Sequence, residues 1–337
     1  MSNATWESLS NQAIGIAGIF YFLALLAHLA EWAALRGPKV AADSADAAGV
    51  ASGSVAVAVA TGGPEDDERA AVRSQRVAFL GRLGLMLTVI AAVAHLVSLV
   101  GRGMAADPNR VPWGNMYEFT VSGSFFVVLM FLVLHRKYHL AWMSPLVLGF
   151  VVTVLMVAVI WLHDEVAPLT EALNSYWLVI HVVSAVIATG AFTLGGIASV
   201  MYLIKMRTGE TTTGWMSRVP SLPVLDRTAY RIHAFAFPVW TFAVLITGPI
   251  WAHEAWSRYW NWDPKEVWAF ITWVVYAAYL HARATAGWKG RNAAILACVG
   301  LATLWFNFIG INYFSTSSQH SYAGGEPTAV VERLPAR

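Results

Sequence analysis

The chain has 337 residues, of which 57% are hydrophobic and only 12% are charged, and its mean hydropathy is +0.55. Soluble globular proteins carry about 25% charged residues, so a soluble enzyme with a single apolar core is excluded. The net charge of +2 is too small and too evenly spread to indicate a nucleic-acid partner. The single cysteine, Cys298, excludes a disulfide scaffold, a Cys-rich metal site and a CxxC redox motif.

Eight apolar runs along the chain are long enough to cross a bilayer, which requires about 20 residues per helix. The composition therefore predicts an all-α, polytopic membrane helix bundle with about eight transmembrane helices. The predicted spans cover residues 12–35, 78–100, 116–134, 142–162, 176–206, 233–251, 265–286 and 293–314.

The distribution of Lys and Arg predicts the orientation of these spans. Most of the 22 basic residues lie in the first, third, fifth and seventh connections or just inside the neighbouring spans. Because basic residues are enriched on the cytoplasmic side, these connections are expected to be cytoplasmic. An even number of spans then places both termini on the outer face.

The predicted spans and the local composition divide the chain into four segments. Residues 1–39 contain the first transmembrane helix, and residues 40–77, rich in Ala, Gly and Ser, are expected to form a disordered cytoplasmic insertion. Residues 78–323 form the main membrane domain. Residues 324–337 are expected to be a flexible outer tail.

Residues 251–268, here called the Trp-rich segment, read WAHEAWSRYWNWDPKEVW and lie between the sixth and seventh spans. An interfacial aromatic belt explains one or two Trp at a helix end, but it does not readily explain five in one connection. The alternative is a flat apolar shelf with indole N–H donors at its edge, which suits a large planar ligand. Asp263 also has a structural interpretation, because Asp, Pro and Glu in this order are typical of a capped helix start.

The stretch WSRYWNWDPKEVWAFITWVVYAAYLH resembles the Trp-rich signature of the haem-handling protein superfamily, and the overall pattern resembles the CcsA (ResC) family of cytochrome c biogenesis proteins. PWGNMYEF from Pro112, SYWLVIHV from Ser175 and QHSYA from Gln319 are also similar to that family. The resemblance covers most of the chain from about Ala78 to Ala323. Ser257 departs from it, since the family usually has Gly there.

The resemblance implies two haem sites in residues 78–323. His181 and His320 are expected to ligate haem iron on the outer side, over a shelf that includes Trp256, Trp260, Trp262 and Asp263. His281 lies 17 residues after Pro264, or about 26 Å down its helix, and is expected to be a buried haem ligand near the cytoplasmic boundary. Its opposite ligand is expected from a CcsB/ResB-type membrane subunit, and His28 is the depth-matched alternative within this chain.

The function implied is c-type cytochrome biogenesis. Haem b, as substrate, would be moved to the outer face and presented for thioether attachment to the CxxCH motif of an apocytochrome c, with this chain as one subunit of a synthase. The single cysteine implies that separate thiol-reducing proteins take part. The expected location is a cell membrane, with a bacterial plasma membrane favoured over a thylakoid.

Two other functions remain open at this point. A haem or small-molecule transporter without synthase activity would show the same haem sites. An electron-transfer cytochrome b requires paired His between facing helices inside the bilayer, which this sequence does not suggest. His163 and His253 are interpreted either as solvated loop residues or as residues that bind a metal or adjust the shelf.

Overall fold

The structure, a computed structural model, describes residues 1–35, 64–166, 175–209, 215–315 and 318. All regular elements in these ranges are helical. The longer helices are α1 (Asn3–Ala34), α2 (Pro64–Ala105), α3 (Met116–Lys137), α4 (Ser144–Trp161), α5 (Tyr176–Thr208), α6 (Leu222–Thr241), α7 (Gly248–Trp256), α8 (Pro264–Ala284) and α9 (Arg291–Trp305). Short elements are the 3-10 turns Leu140–Met143 and Trp215–Arg218, the π-helical turns Phe242–Thr247 and Phe306–Gly310, and α10 (Ile311–Phe314).

The helices confirm the prediction of an all-α, polytopic membrane bundle. Seven helical stretches in the described ranges are long and apolar enough to cross a membrane, because α6 and α7 continue one another through a π-helical turn and α9 continues into α10. The 21 residues of α8 match the seventh predicted span, although α8 does not meet the same apolarity criterion. The chain is therefore a multi-pass membrane protein.

The second helix is longer than the sequence predicted. It begins at Pro64, fourteen positions before the predicted start at Ala78. The expectation of disorder for residues 40–77 is therefore wrong from Pro64 onward, because the acidic residues after Pro64 favour a helix start. The rest of that segment, and the predicted tail at 324–337, lie outside the described residues.

The sixth span also begins earlier, at Leu222 rather than at 233, and it is interrupted by the π-helical turn Phe242–Thr247. Pro249 lies two positions after the end of this turn. A proline ring clashes with the carbonyl four positions earlier in a regular α-helix, and a local π turn is one way to relieve that clash.

Helix α5 lies at the centre of the bundle, where it packs against α3, α6 and α9. Small residues on α5 allow close approach of its neighbours. A Cβ added at Gly195 would lie 2.6 Å from the His233 ring of α6, so a larger residue does not fit there. On one side α1 packs against α2 and α4, and on the other α8 packs against α9 and α6.

A buried ionic cluster fixes the start of α3. The Glu118 carboxylate accepts from Arg102 Nε of α2 at 3.0 Å and from Arg110 Nη1 at 2.6 Å. It also accepts from the Gly114 backbone N–H at 2.7 Å, while Arg102 reaches Glu7 of α1 at 3.3 Å. Breaking one partner of such a buried pair typically costs about 3–5 kcal/mol, so this cluster holds α1, α2 and α3 together at one end of the bundle.

Candidate functional site

A large cavity lies at the end of the bundle that carries the Trp-rich segment, here called the Trp-rich end. It encloses about 1430 Å³ of empty space, part of it open to the surroundings. Its walls come from α3, α4, α5, α7, α8, α9 and the π-helical turns, and are mainly apolar. Apart from the tryptophan indoles, the polar side chains among the lining residues are Thr120, Ser124, His181, Thr189, Tyr259, Lys265, Glu266, Asn307 and Asn312.

His181 lies on the α5 wall of this cavity, five residues after the start of the helix. Its Nδ1 lies 2.9 Å from the carbonyl oxygen of Ala243. Because a carbonyl oxygen can only accept, Nδ1 carries the proton and donates it to Ala243. In the neutral imidazole the lone pair is then on Nε2, which is the tautomer required for an axial metal ligand.

The first π-helical turn, Phe242–Thr247, places the Ala243 carbonyl opposite His181. The backbone N–H of Gly248 donates to this carbonyl in the wide i to i+5 pattern, and Thr247 Oγ1 also donates to it at 3.1 Å. Turns of this kind occur often at functional sites. Trp251, one turn further on, lies nearly parallel to the His181 ring, with centroids 5.8 Å apart and an interplanar angle of 13°.

The Trp-rich segment does not form the flat shelf that the sequence predicted. Trp256 meets Trp251 at 63°, and Trp260 meets Trp262 at 87°, so both pairs are edge-to-face. Trp260 lines the cavity, and its Nε1 is buried with no hydrogen-bond partner in the described part of the chain. Trp262 is 71% exposed. The prediction of one planar surface is wrong because aromatic pairs prefer offset or edge-to-face contacts.

Left-handed backbone at Ser257 turns the chain out of α7, with φ 56° and ψ 28°. This is the C-cap position that favours glycine, so the structure accounts for the glycine that the resembled family usually has there. Trp262 also has a positive φ, 58°. Two such residues fold the connection between α7 and α8 tightly enough to bring Trp260 to the cavity.

Asp263 is buried and caps α8 as predicted from the sequence. Its Oδ1 accepts a hydrogen bond from the Lys265 backbone N–H at 2.8 Å. The Glu266 carboxylate accepts one from the Asp263 backbone N–H at 3.2 Å, which completes a capping box. Ser318 Oγ also donates to Asp263 Oδ1 at 2.8 Å. The Lys265 ammonium donates to Asn312 of α10 at 2.9 Å, which ties α8 to the end of the last span.

His281 is exposed near the opposite end of α8, so the expectation that it is buried within this chain is wrong. His28 is buried instead, with Nδ1 3.1 Å from Glu31 and its ring packed against α2, where a Cβ at Gly84 would lie 2.5 Å from Nε2. Since α8 packs mainly against α9 and α6, the structure does not bring His28 and His281 together.

The remaining predicted histidines lie apart from the cavity or outside the described ranges. His163 is exposed and packs against Tyr117, with ring centroids 4.9 Å apart. His253 is exposed and stacks on Tyr259 at 4.4 Å. Within the described ranges, no group of three or more His, Cys, Asp or Glu side chains could hold a metal ion. His320 is not among the described residues.

Sequence reasoning missed Thr120 and Asn307, which line the cavity from α3 and from the second π-helical turn. Both side chains are more than nine-tenths buried, and Thr120 Oγ1 and Asn307 Oδ1 have no hydrogen-bond partner among the residues that the structure describes. The only indication in the sequence was that each is a polar residue within an apolar run. Such a pattern does not show whether the side chain faces a cavity, a neighbouring helix or lipid.

Comparison with known proteins identifies the family. The family model described as "Cytochrome C assembly protein" matches residues 113–318. The "Cytochrome c biogenesis protein CcsA" of Porphyra purpurea is 31% identical over 73% of this chain and 89% of its own length. That of Synechococcus sp. (strain JA-3-3Ab) is 30% identical over 73% of this chain and 87% of its own.

A solved structure shares the fold. "Cytochrome c Heme Lyase CcmF" superposes on 91% of this chain with a TM-score of 0.59 and 16% sequence identity, and the match covers 46% of that larger chain. The sequence matches extend over the cavity, the Trp-rich segment and the helices around them. This chain therefore belongs to the cytochrome c assembly protein family, as a cytochrome c biogenesis protein of the CcsA type.

Proposed function

We propose that the chain binds haem b as a substrate at the Trp-rich end and presents it for covalent attachment to an apocytochrome c. This end would face the outer side of the membrane, an orientation that the distribution of basic residues supports, and the membrane proposed is a bacterial plasma membrane. The observation that carries the proposal is His181, whose Nδ1 is held by Ala243 in the wall of a large apolar cavity.

The residues of the cavity fit haem. Apolar walls accept a porphyrin ring, and a histidine with a fixed tautomer supplies an axial ligand. The buried Nε1 of Trp260 is a donor suited to the carboxylates at a porphyrin edge. When bound, haem supplies an iron atom for axial ligation and vinyl groups across which a thiol S–H adds without net oxidation or reduction. The role of His181 and the cavity walls is positioning rather than acid–base chemistry.

We assign the second outer ligand to His320. Ser318, two positions earlier, is hydrogen-bonded to Asp263 in the Trp-rich segment. Two residues of extended chain span at most about 7 Å, so this contact supports a place for His320 near Asp263, at the Trp-rich end that also carries His181. The apocytochrome histidine would displace one of the two ligands as the product forms.

His281 is proposed as the ligand at the site where haem enters, on the cytoplasmic side. His281 is exposed on the surface of α8. Haem bound there would lie outside the helix bundle, so a second protein packed against α8 is better placed to supply the opposite ligand than a residue of this chain. A CcsB/ResB-type membrane subunit fits that role, and His28 does not, since its ring is buried against α2. Thiol-reducing proteins would keep the acceptor cysteines reduced.

Substitution of His181 tests this proposal. We expect His181→Gly, purified with its partner subunit, to lose haem at the Trp-rich end and to lose maturation of a reporter cytochrome c. Added imidazole should restore part of both, because the iron–nitrogen bond needs no covalent link to the chain. His253→Gly is the matched control, since it also removes an imidazole from a helix near that end. Glycine in a helix lowers its stability by about 1 kcal/mol, and this loss should be similar in the two variants.

Two results would contradict the proposal. One is wild-type protein that carries no haem, alone or with the partner subunit. The other is His181→Gly with the haem content, absorption spectrum and reporter maturation of His253→Gly. Haem binding that survives in full while no cytochrome c is matured by the wild-type complex would favour a transporter instead.

A further inference from the structure

The interior of the bundle is closed beneath the cavity by packed rings. Thr189 is the last residue of α5 in the cavity wall. Phe192, three positions further along α5, is fully buried and stacks on Tyr276 of α8 with ring centroids 3.7 Å apart. The buried His233 ring of α6 packs against Tyr276 at 5.2 Å and against Tyr279 at 5.1 Å. These rings and the core around them leave no passage for a porphyrin in this part of the interior.

Most seams between the helices around the cavity are closed by helix packing. Helix α3 packs against α4 and α5, α5 packs against α6 and α9, and α8 packs against α9 and α6. Trp240 Nε1 of α6 also donates to the Ala269 carbonyl of α8 at 3.3 Å. The Thr272 and Thr303 hydroxyls join α8 to α9 at 3.1 Å. The seam between α4 and α9 differs, because no comparable backbone contact joins these two helices in the described ranges.

Two aromatic rings close the seam between α4 and α9. Phe150 of α4 and Trp305 of α9 both line the cavity, and they meet edge to face with centroids 5.3 Å apart and an interplanar angle of 68°. Both side chains are half-buried. Such an aromatic pair contributes about 0.5–1.5 kcal/mol beyond its area burial. Rotation of one side chain separates these rings, whereas opening a packed seam requires two helices to move apart.

Helix α5 forms a floor behind this seam, because it packs against both α3 and α9 while α4 packs on α3. The residues of α5 that line the cavity are Leu178, His181, Val182, Ala185, Val186 and Thr189. They recur at helical intervals and therefore lie on one face of the helix. His181 lies near the outer end of this row. A molecule that passes between Phe150 and Trp305 thus reaches a mainly apolar row that leads to His181.

We propose that haem enters the cavity edge first from the membrane side, between α4 and α9, with Phe150 and Trp305 as the gate. This inference rests on the proposed function and supplies the route between its two haem sites. A porphyrin is flat, and apart from its two carboxylates its edge is apolar, so an apolar slot between helices suits its passage. The exposed position of His281 on α8 agrees with this route, because transfer from there to the cavity then runs outside the bundle.

Removal of one gate ring tests the route. The complete chain, purified with its partner subunit from haem-deficient cells and placed in lipid vesicles, is mixed with haem, and loading is followed by absorbance. Release is followed by transfer to a haem-scavenging protein. We expect Phe150→Ala to load and release haem several-fold faster with a similar final haem content, because a gate changes both rates together. Phe119→Ala is the matched control, since it removes the same ring from the α3 wall and should change release without changing loading.

A cross-link tests the seam independently of the ring. Cys298→Ala first removes the single cysteine of the chain. Phe150→Cys combined with Trp305→Cys then allows a short thiol-reactive cross-linker to join α4 to α9. Cross-linking before haem is added should block loading, and cross-linking after loading should trap the haem already bound. Thr272→Cys combined with Thr303→Cys is the control, because it links α8 to α9 where the two hydroxyls are already 3.1 Å apart.

Three results would overturn the proposed route. Normal loading after α4 is linked to α9 would show that haem enters elsewhere. Equal slowing after α8 is linked to α9 would show a general loss of mobility rather than a closed gate. Loading and release rates in Phe150→Ala that match those of Phe119→Ala would show that the ring pair is not a gate. Failure of the proposed function is distinguishable, because the wild-type complex would then bind no haem at all.

Discussion

Ser318 donates a hydrogen bond to the carboxylate of Asp263 at 2.8 Å, although 55 positions separate the two residues in the chain. The same carboxylate oxygen caps α8 through the Lys265 backbone N–H. One buried oxygen therefore fixes both the angle at which the Trp-rich segment enters α8 and the place where the chain passes after the last span.

Substitution of Asp263 should separate these two roles. Asp263→Ala removes the helix cap and the Ser318 contact, and we expect it to lower the free energy of unfolding by about 1 kcal/mol through the cap alone. Asp263→Asn keeps a capping oxygen and should be close to wild type. Thermal unfolding of the purified protein in detergent measures both.

Ser318→Ala is the control, since it leaves the cap in place. We expect normal stability with reduced haem at the Trp-rich end. A near-complete loss of function in Asp263→Asn, at normal protein level and stability, would show that the negative charge of Asp263 has a role beyond capping.

The two neighbouring tryptophans of the Trp-rich segment should differ in their effect on haem. Trp260 lines the cavity with a buried Nε1, whereas Trp262 is 71% exposed. Trp260→Ala should therefore lower haem occupancy several-fold, because it removes both apolar contact area and a donor. Trp262→Ala should retain most of the haem. The absorbance of haem per mole of purified protein distinguishes them, and equal retention would argue against a haem contact at Trp260.

Ser257→Gly should stabilise the protein. Left-handed backbone costs a non-glycine residue of order 1 kcal/mol, and Ser257 has φ 56°. Glycine at this C-cap removes that cost, so the unfolding midpoint should rise by a few degrees. Ser257→Val should lower it, because a β-branched residue is least tolerated at positive φ. A lower midpoint for Ser257→Gly would mean that the serine side chain makes a stabilising contact.

His281→Gly should deplete haem at both proposed sites, because His281 is proposed to act where haem enters. The residue is exposed, so the variant is expected to fold normally and to assemble with its partner. His181→Gly should leave haem at the entry site. Haem content and absorption spectra of the two variants, each copurified with the partner subunit, test the order in which haem passes from the entry site to the Trp-rich end. If His281→Gly keeps full haem at the Trp-rich end while His181→Gly empties the entry site, the proposed direction of transfer is wrong.

The sequence predicted the membrane bundle, the spans apart from the early starts of the second and sixth, and the cap at Asp263, because these depend on local composition and on short-range patterns. It also singled out His181, whose place near the start of α5 follows from counting residues. It did not predict that Trp260 and Trp262 face different surroundings. Their directions depend on positive φ values at Ser257 and Trp262, which neither residue type indicates.

Burial was the other property that the sequence could not supply. His28 and His281 have similar expected depths, yet His28 is 3% exposed and His281 lies on the surface of α8. Depth along a helix follows from residue count, whereas the face of the helix depends on which neighbours pack against it. In an apolar membrane helix the two faces differ little in composition, so the sequence pattern gives no clear direction.

The π-helical turn Phe242–Thr247 makes this part of the chain sensitive to length. An α-helix advances about 100° per residue, so deletion of a single residue within the turn would rotate α7 by roughly that angle relative to α6. Trp251 would then leave the His181 ring, and the Ala243 carbonyl would lose its Gly248 partner. A one-residue insertion or deletion in this stretch should therefore be strongly selected against.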